Sequence, residues 1–188
     1  MLARRFAAAL MLLALSTPAF AQAGGSGGSG TKGNLQVFRA VQREVLRYPH
    51  FTIFDSVNMQ VDEDVVTLTG KVTMPYKRDE IGKRVSRIPG IQEVHNQIEV
   101  LPVSQFDDQL RYAIARAIYH NPAFVGYGSM VNPPIHIIVE RGRVTLEGVV
   151  NNNVDRMLAR SIATSFNAFE VKNELKTDAE VEQELEKL

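Results

Sequence analysis

Four histidines, His50, His95, His120 and His136, are the side chains of this 188-residue chain best suited to metal ligation or proton transfer. None stands at HxxxH or HExxH spacing, the arrangement that turns two imidazoles toward one metal from a single helix face. His95 and His136 fall in strand-like segments and His50 and His120 near helix ends, which predicts packing and surface histidines. Asp62, Glu63 and Asp64 bring three carboxylates together, but a turn this short offers too few oxygens for Ca²⁺, which takes about 6–8. Ser161 and Ser165 lie in a helical stretch without the GxSxG elbow that exposes a nucleophile. The chain has no Cys, which removes thiol nucleophiles, thiolate zinc sites and disulfides. No catalytic residue, metal site or cofactor is expected, so the sequence does not read as an enzyme.

Charge narrows the partners. Lys plus Arg and Asp plus Glu both number 21, so the basic excess that supplies most nucleic-acid affinity is missing. Hydrophobic residues make up 45% and charged residues 22% of the chain, proportions that predict a folded globular protein.

Arg4 and Arg5 are followed by the apolar run Phe6 to Leu15, then Pro18 and the small-residue pattern Ala19-Phe20-Ala21. This is the layout of a secretory signal peptide over residues 1–21. The apolar core is about half of the ~20 residues needed to span a bilayer. With no Cys available for lipid attachment, the expected location is the periplasm, as a soluble protein and not a lipoprotein. Residues 22–34 are rich in Gly and Ser, have little to bury, and read as a flexible tether. That run has no GK[ST] ending and is not a phosphate loop.

The remainder is one unit written twice. Val57 to Val72 align on Ile135 to Val150, with Val66, Thr67, Leu68 and Gly70 repeated as Val144, Thr145, Leu146 and Gly148. Upstream, Val41, Val45, Pro49 and Phe51 recur as Ile114, Ile118, Pro122 and Phe124. Downstream, Ile81 and Val85 align on Leu158 and Ile162, and Val94, Asn96 and Ile98 on Val171, Asn173 and Leu175. Two copies predict paired domains over 35–101 and 106–177, not a solenoid.

In each copy a helical apolar stripe ends near a proline, and two alternating segments meet at a hairpin turn. A second helical stripe and a third alternating segment follow. The expected fold is α+β: two helix-strand-strand-helix-strand modules, each a three-stranded mixed sheet with two helices on one face. Strands two and three, joined through a helix, should run parallel. Modules this small bury little core alone, so the copies are expected to touch. Residues 178–188, with five acids and one Lys, read as a solvated tail with a thin apolar stripe.

The motif Val66-Thr67-Leu68-Thr69-Gly70-Lys71-Val72, followed after a helix by Gly90 to Val100, resembles the BON domain family. Val144 to Val150 and Val171 to Leu175 repeat the pattern. The resemblance implies a periplasmic, non-catalytic module that binds phospholipid or the envelope, linked to envelope integrity and osmotic stress. Where the first copy has Gly90 the second has Asn167, a residue that tolerates positive φ and is expected to preserve the turn.

Two features are candidates for lipid contact. Arg39, Arg43 and Arg47 are spaced four apart and share one face of the first helix. The loop Val125 to Val131, longer in the second copy than in the first, offers Val125, Tyr127, Met130 and Val131 as an apolar wedge, with Tyr at the headgroup level. Three basic side chains at about 1 kcal/mol each, with Tyr127 and Met130 buried, gross roughly 6–9 kcal/mol before ordering costs. Micromolar binding needs about 8. The expected partner is an anionic phospholipid surface, in weak and salt-sensitive contact. The alternative is a chaperone-like module that holds envelope proteins on apolar surface or strand edges.

Overall fold

The computed structural model describes residues 30–185; the segment 1–21 read as a signal peptide lies outside them. Helix α1 (Gly30–Leu46) carries Val41 and Val45 inward at helical spacing, with Tyr48 just beyond its end; all three are buried. This helix starts inside the Gly/Ser-rich segment and takes in Thr31 to Asn34, residues read above as tether. Strand β1 (Ser56–Asp62) turns at Glu63-Asp64 into β2 (Val65–Val72), paired antiparallel with Met59 opposite Leu68 and Val61 opposite Val66. Helix α2 (Pro75–Val85) then crosses over to β3 (Glu93–Asn96), which lies parallel to β2 with Val94 beside Val66. The third strand is broken at Gln97-Ile98 and resumes as β4 (Glu99–Val100), also parallel to β2.

The second module repeats this order. Helix α3 (Gln105–Tyr119) starts at Ser104, whose side chain accepts from the Asp107 N–H as an N-cap should. A 3-10 turn and the short helix α4 (Val125–Gly128) follow. The hairpin β5 (Ile135–Glu140) and β6 (Arg143–Val150) leads to α5 (Asn153–Thr164), then to β7 (Glu170–Thr177), parallel to β6 with Val171 beside Val144. Within the acidic tail, Asp178–Leu185 form helix α6. Arg156 holds Glu180 through both carboxylate oxygens, and Lys176 holds Glu184. Each module thus has the expected α+β order, with α1 and α2, or α3 and α5, against one face of a mixed sheet.

The repeat also corrects the alignment of the second helix. Lys77, Ile81 and Val85 point inward from α2, at the same helical positions as Asp155, Ala159 and Ala163 of α5. Leu158 and Ile162, matched to Ile81 and Val85 from sequence, are only half-buried at the edge of the core. The missing residue lies after the helix: Asn96 and Asn173 occupy the same place, each donating its side-chain amide to a carbonyl of the second helix, Arg78 at 2.8 Å and Arg156 at 2.9 Å. The turn at Asn167 is not left-handed; among the described residues positive φ outside glycine occurs at Glu63 and Arg141.

One glycine pair is dictated by sheet geometry. Gly70 and Gly148 sit in β2 and β6 at φ +114° and +119°, a region L side chains avoid. A Cβ on Gly70 would fall on the backbone carbonyl of Ser56 in the neighbouring strand. Gly70→Ala is therefore expected to lower stability by about 2–3 kcal/mol or more in chemical denaturation. Gly126→Ala, with open space around its Cβ, should leave the midpoint nearly unchanged.

Candidate functional site

The candidate basic row is where the helical spacing puts it. Arg39, Arg43 and Arg47 are all exposed on α1, opposite the face that buries Val41 and Val45 in the module core. Among the described residues Arg39 and Arg43 have no ion pair, and Arg47 has a distant one to Glu44 at 3.9 Å. Beside the row a groove of about 440 Å³ runs between α1 and α2, lined by Arg43, Glu44, Glu80, Arg84 and Arg87. The guanidinium of Arg84 lies 5.0 Å from the centre of the Tyr48 ring, a cation–π arrangement. Sequence reasoning missed Arg84 and Arg87. Their signal was available: two arginines on the flank of α2 where the second copy has uncharged residues.

The apolar wedge is corrected by the structure. Tyr127 is 4% exposed, packed on Phe124 at a ring distance of 5.7 Å. Its hydroxyl donates to Asp155 Oδ2 at 2.6 Å and accepts from the Asn151 N–H at 2.8 Å. Burial holds that phenol well above the usual tyrosine range. A side chain so engaged is structural, because withdrawing it would give up both hydrogen bonds and the packing of its ring on Phe124. Val125, Met130 and Val131 remain exposed. They belong to the second module, whereas the Arg row lies on α1 of the first.

The two modules meet through a buried polar cluster centred on Asp55, which is 0% exposed. Its Oδ1 accepts from the N–H and hydroxyl of Thr73 at 2.8 and 2.9 Å. Its Oδ2 accepts from the N–H and hydroxyl of Thr52 at 2.8 and 2.7 Å and from Lys77 Nζ at 2.7 Å. The loop fixed in this way reaches into the second module. The Ile137 N–H on the free edge of β5 donates to the Ile53 carbonyl at 2.7 Å, and His136 Nδ1 to the Asp55 carbonyl at 2.5 Å. Phe51 lies against the His136 ring, Phe54 against Tyr112, and Ser56 and Lys71 bond Glu147 and Glu140. Every group in this cluster is occupied by another, so the geometry is that of a joint.

The remaining histidines are scattered. His50 is edge-on to Tyr48 and Tyr76, His95 pairs loosely with Glu93, and His120 faces the Arg116 carbonyl. Among the described residues no group of three or more His, Asp or Glu is placed to hold a metal, and no helix is long and apolar enough to cross a membrane. An exposed aromatic pair was not foreseen: Phe106 and Phe169 stack at 6.4 Å beside Gly142, with Phe169 80% exposed and Val103 nearby in sequence and also exposed.

A family model for the BON domain matches residues 36–102 and 123–179; the second match begins after α3. No curated protein sequence matches the chain. One similar solved structure is the C-terminal domain of CdsD, the structural protein of the type III secretion system of Chlamydia trachomatis. It is 15% identical with a TM-score of 0.33, over 81% of this chain and 70% of that one. A second structure of CdsD from the same secretion system is 12% identical with a TM-score of 0.28, over 80% and 97%.

Two outcomes test the joint. Lys77→Met leaves the Asp55 carboxylate buried without its counter-charge and should cost about 3–5 kcal/mol in equilibrium unfolding. The second outcome concerns acid. His136 is fully buried, and desolvation holds its pKa below the ordinary 6.5, so the unfolded chain takes up the proton more readily. Stability should fall as pH drops below about 6.5. Glu147, raised by burial, acts in the opposite sense, favouring the folded state at low pH. His136→Gln should flatten the acid limb of the thermal midpoint between about pH 7 and pH 5, and an unaltered limb would remove His136 as its source.

Proposed function

This chain belongs to the BON domain family, and from that premise we propose a non-enzymatic, exported envelope protein whose first module contacts anionic phospholipid. The single observation that carries the reading is the exposed row Arg39, Arg43 and Arg47, which is almost free of internal carboxylate partners. A cation already paired in the protein has little to gain at a charged surface. An unpaired one gains about 1 kcal/mol near anionic headgroups. Three of them give a weak contact that ionic strength screens within about 10 Å. A periplasmic location and a role in envelope maintenance or osmotic stress accord with that chemistry. Val125, Met130 and Val131 offer the second module a shallow apolar contact of its own, without Tyr127.

A second reading rests on the exposed stack of Phe106 and Phe169. Two aromatic rings at the surface suit capture of an apolar protein segment. In this alternative the chain acts as a chaperone-like module for envelope proteins.

Co-sedimentation separates the two. The mature chain should pellet with phosphatidylglycerol vesicles and not with phosphatidylcholine vesicles, with binding fading as salt rises. Replacing Arg39, Arg43 and Arg47 by Ser should reduce the bound fraction by roughly tenfold or more at low salt with an unchanged melting curve. Binding that persists in the triple variant would overturn the assignment of the row. Absence of pelleting, together with suppressed aggregation of a denatured outer-membrane protein that is lost on Phe169→Ser, would favour the second reading.

A further inference from the structure

The groove between α1 and α2 holds an unmet chemical demand. Arg84 Nε is buried without a hydrogen-bond partner. Arg111 Nε is also orphaned, but its guanidinium is otherwise satisfied, by Asp108 at 2.6 Å and the Val139 carbonyl at 3.0 Å. Among the described residues the Arg84 guanidinium has only the Tyr48 ring, which holds the plane in place but accepts nothing in the way a lone pair does. A buried cationic N–H without an acceptor is costly, and the Nη groups of the same guanidinium, which line the groove and are also without a protein acceptor among the described residues, are where an acceptor from outside can reach this cation.

The rest of the groove says what kind. Arg43 and Arg87 line it with Arg84, both exposed and both without an ion pair among the described residues. The groove also contains two carboxylates, Glu44 and Glu80, each within reach of a different cation: Arg47 at 3.9 Å and Lys83 at 3.5 Å. The duplicated module supplies an internal comparison. In register, Ile162 of α5 stands where α2 has Arg84 and Leu158 where it has Glu80, and Ser165 follows α5 where Arg87 follows α2. Ile162 and Leu158 pack against the core of their module. The second copy thus closes the same interhelical groove with aliphatic side chains, and the first opens it with charge.

We propose that Arg43, Arg84 and Arg87 form a binding site for a phosphate group, with Arg84 as its fixed centre. Guanidinium presents planar, divergent N–H donors that match phosphate oxygens. The Tyr48 ring holds the Arg84 plane before the ligand arrives, which lowers the ordering cost. The proposal rests on the phospholipid reading and deepens it: the row on α1 gives diffuse attraction, and the groove grips one headgroup phosphate. The same chemistry also fits free phosphate, so the test has two arms.

In the first arm the mature chain is titrated with inorganic phosphate and with glycerol 1-phosphate while the arginine Nε–H resonances are followed by NMR. A saturable shift of the Arg84 Nε–H is expected, reduced roughly tenfold or more in affinity by Arg87→Gln, an exposed position with no fold to lose. Arg84→Gln should abolish binding, but it also gives up the contact with the Tyr48 ring, so Arg87→Gln is the variant that separates binding from stability. No saturable shift, or an affinity in both variants equal to that of the parent chain, overturns the site. The second arm repeats vesicle co-sedimentation with Arg84→Gln and Arg87→Gln. Reduced pelleting on phosphatidylglycerol, together with phosphate binding in the first arm, supports a headgroup ligand. Phosphate binding without vesicle binding by the parent chain keeps the site, assigns it to soluble phosphate esters, and overturns the membrane reading. Full pelleting by both variants, lost only when Arg39 and Arg47 are replaced by Ser, keeps the membrane reading and overturns the groove as a headgroup site.

Discussion

The whole molecule depends on a carboxylate that water cannot reach. Asp55 sits at 0% exposure at the end of a loop, and a lone ionised carboxyl there would be prohibitive. Thr52, Thr73 and Lys77 surround it with donors, so the charge is accommodated and the loop loses its freedom. Rigidity is the consequence that matters. A loop held this firmly can present its own carbonyls, Ile53 and Asp55, to a strand edge and a histidine of the other module. The edge of β5 would otherwise be open to pairing with another chain. Burial of one charge in the first module therefore caps an edge in the second and turns two marginal units into one body.

The two modules face a shared backbone problem and solve it with different side chains. In each, the N–H of the residue just before the N-cap of the second helix is turned inward, Thr73 in one and Asn151 in the other. The first module answers with the Asp55 carboxylate and supports it with Lys77 from α2. The second answers with the Tyr127 hydroxyl and supports it with Asp155 from the same position of α5. Acceptor and helper have exchanged chemistry while their geometry is kept. The loop carrying Tyr127 is longer because a side chain on a short helix must reach the place that an aspartate reaches from the loop just before β1.

That exchange explains which parts were legible in the sequence. Periodic apolar positions, the hairpins, the parallel crossover and the paired modules follow from pattern alone, because the cores obey one spacing rule at a time. Tyr127 did not, since a tyrosine between two glycines looks exposed until its hydroxyl is seen to meet a specific N–H. Asp55 was hidden for a related reason: its aligned partner in the second copy is Pro133, so the repeat gives no hint of it. The helix register slipped by one because Ala159 and Ala163, small and fully buried, draw less notice than Leu158 and Ile162 beside them. One clue to the joint was present. Ile138 stands where the first copy has Gln60, and an apolar residue on the outward face of a strand marks a face that something covers.

Once covered, that face is lost for binding, and the asymmetry has a functional meaning. The second module gives up the far side of its sheet and the edge of β5 to the joint, and fills its interhelical groove with Leu158 and Ile162. What it gains is stability. The first module, braced by its partner, keeps α1 and α2 open to solvent and carries arginines there that its own carboxylates leave largely unmatched. An unpaired cationic surface contributes little to folding and in part opposes it through self-repulsion. It is tolerated where stability comes from elsewhere. Duplication followed by divergence provides such a separation: one copy as the brace, the other as the contact surface, with Asp55 at the point where the first hands its loop to the second.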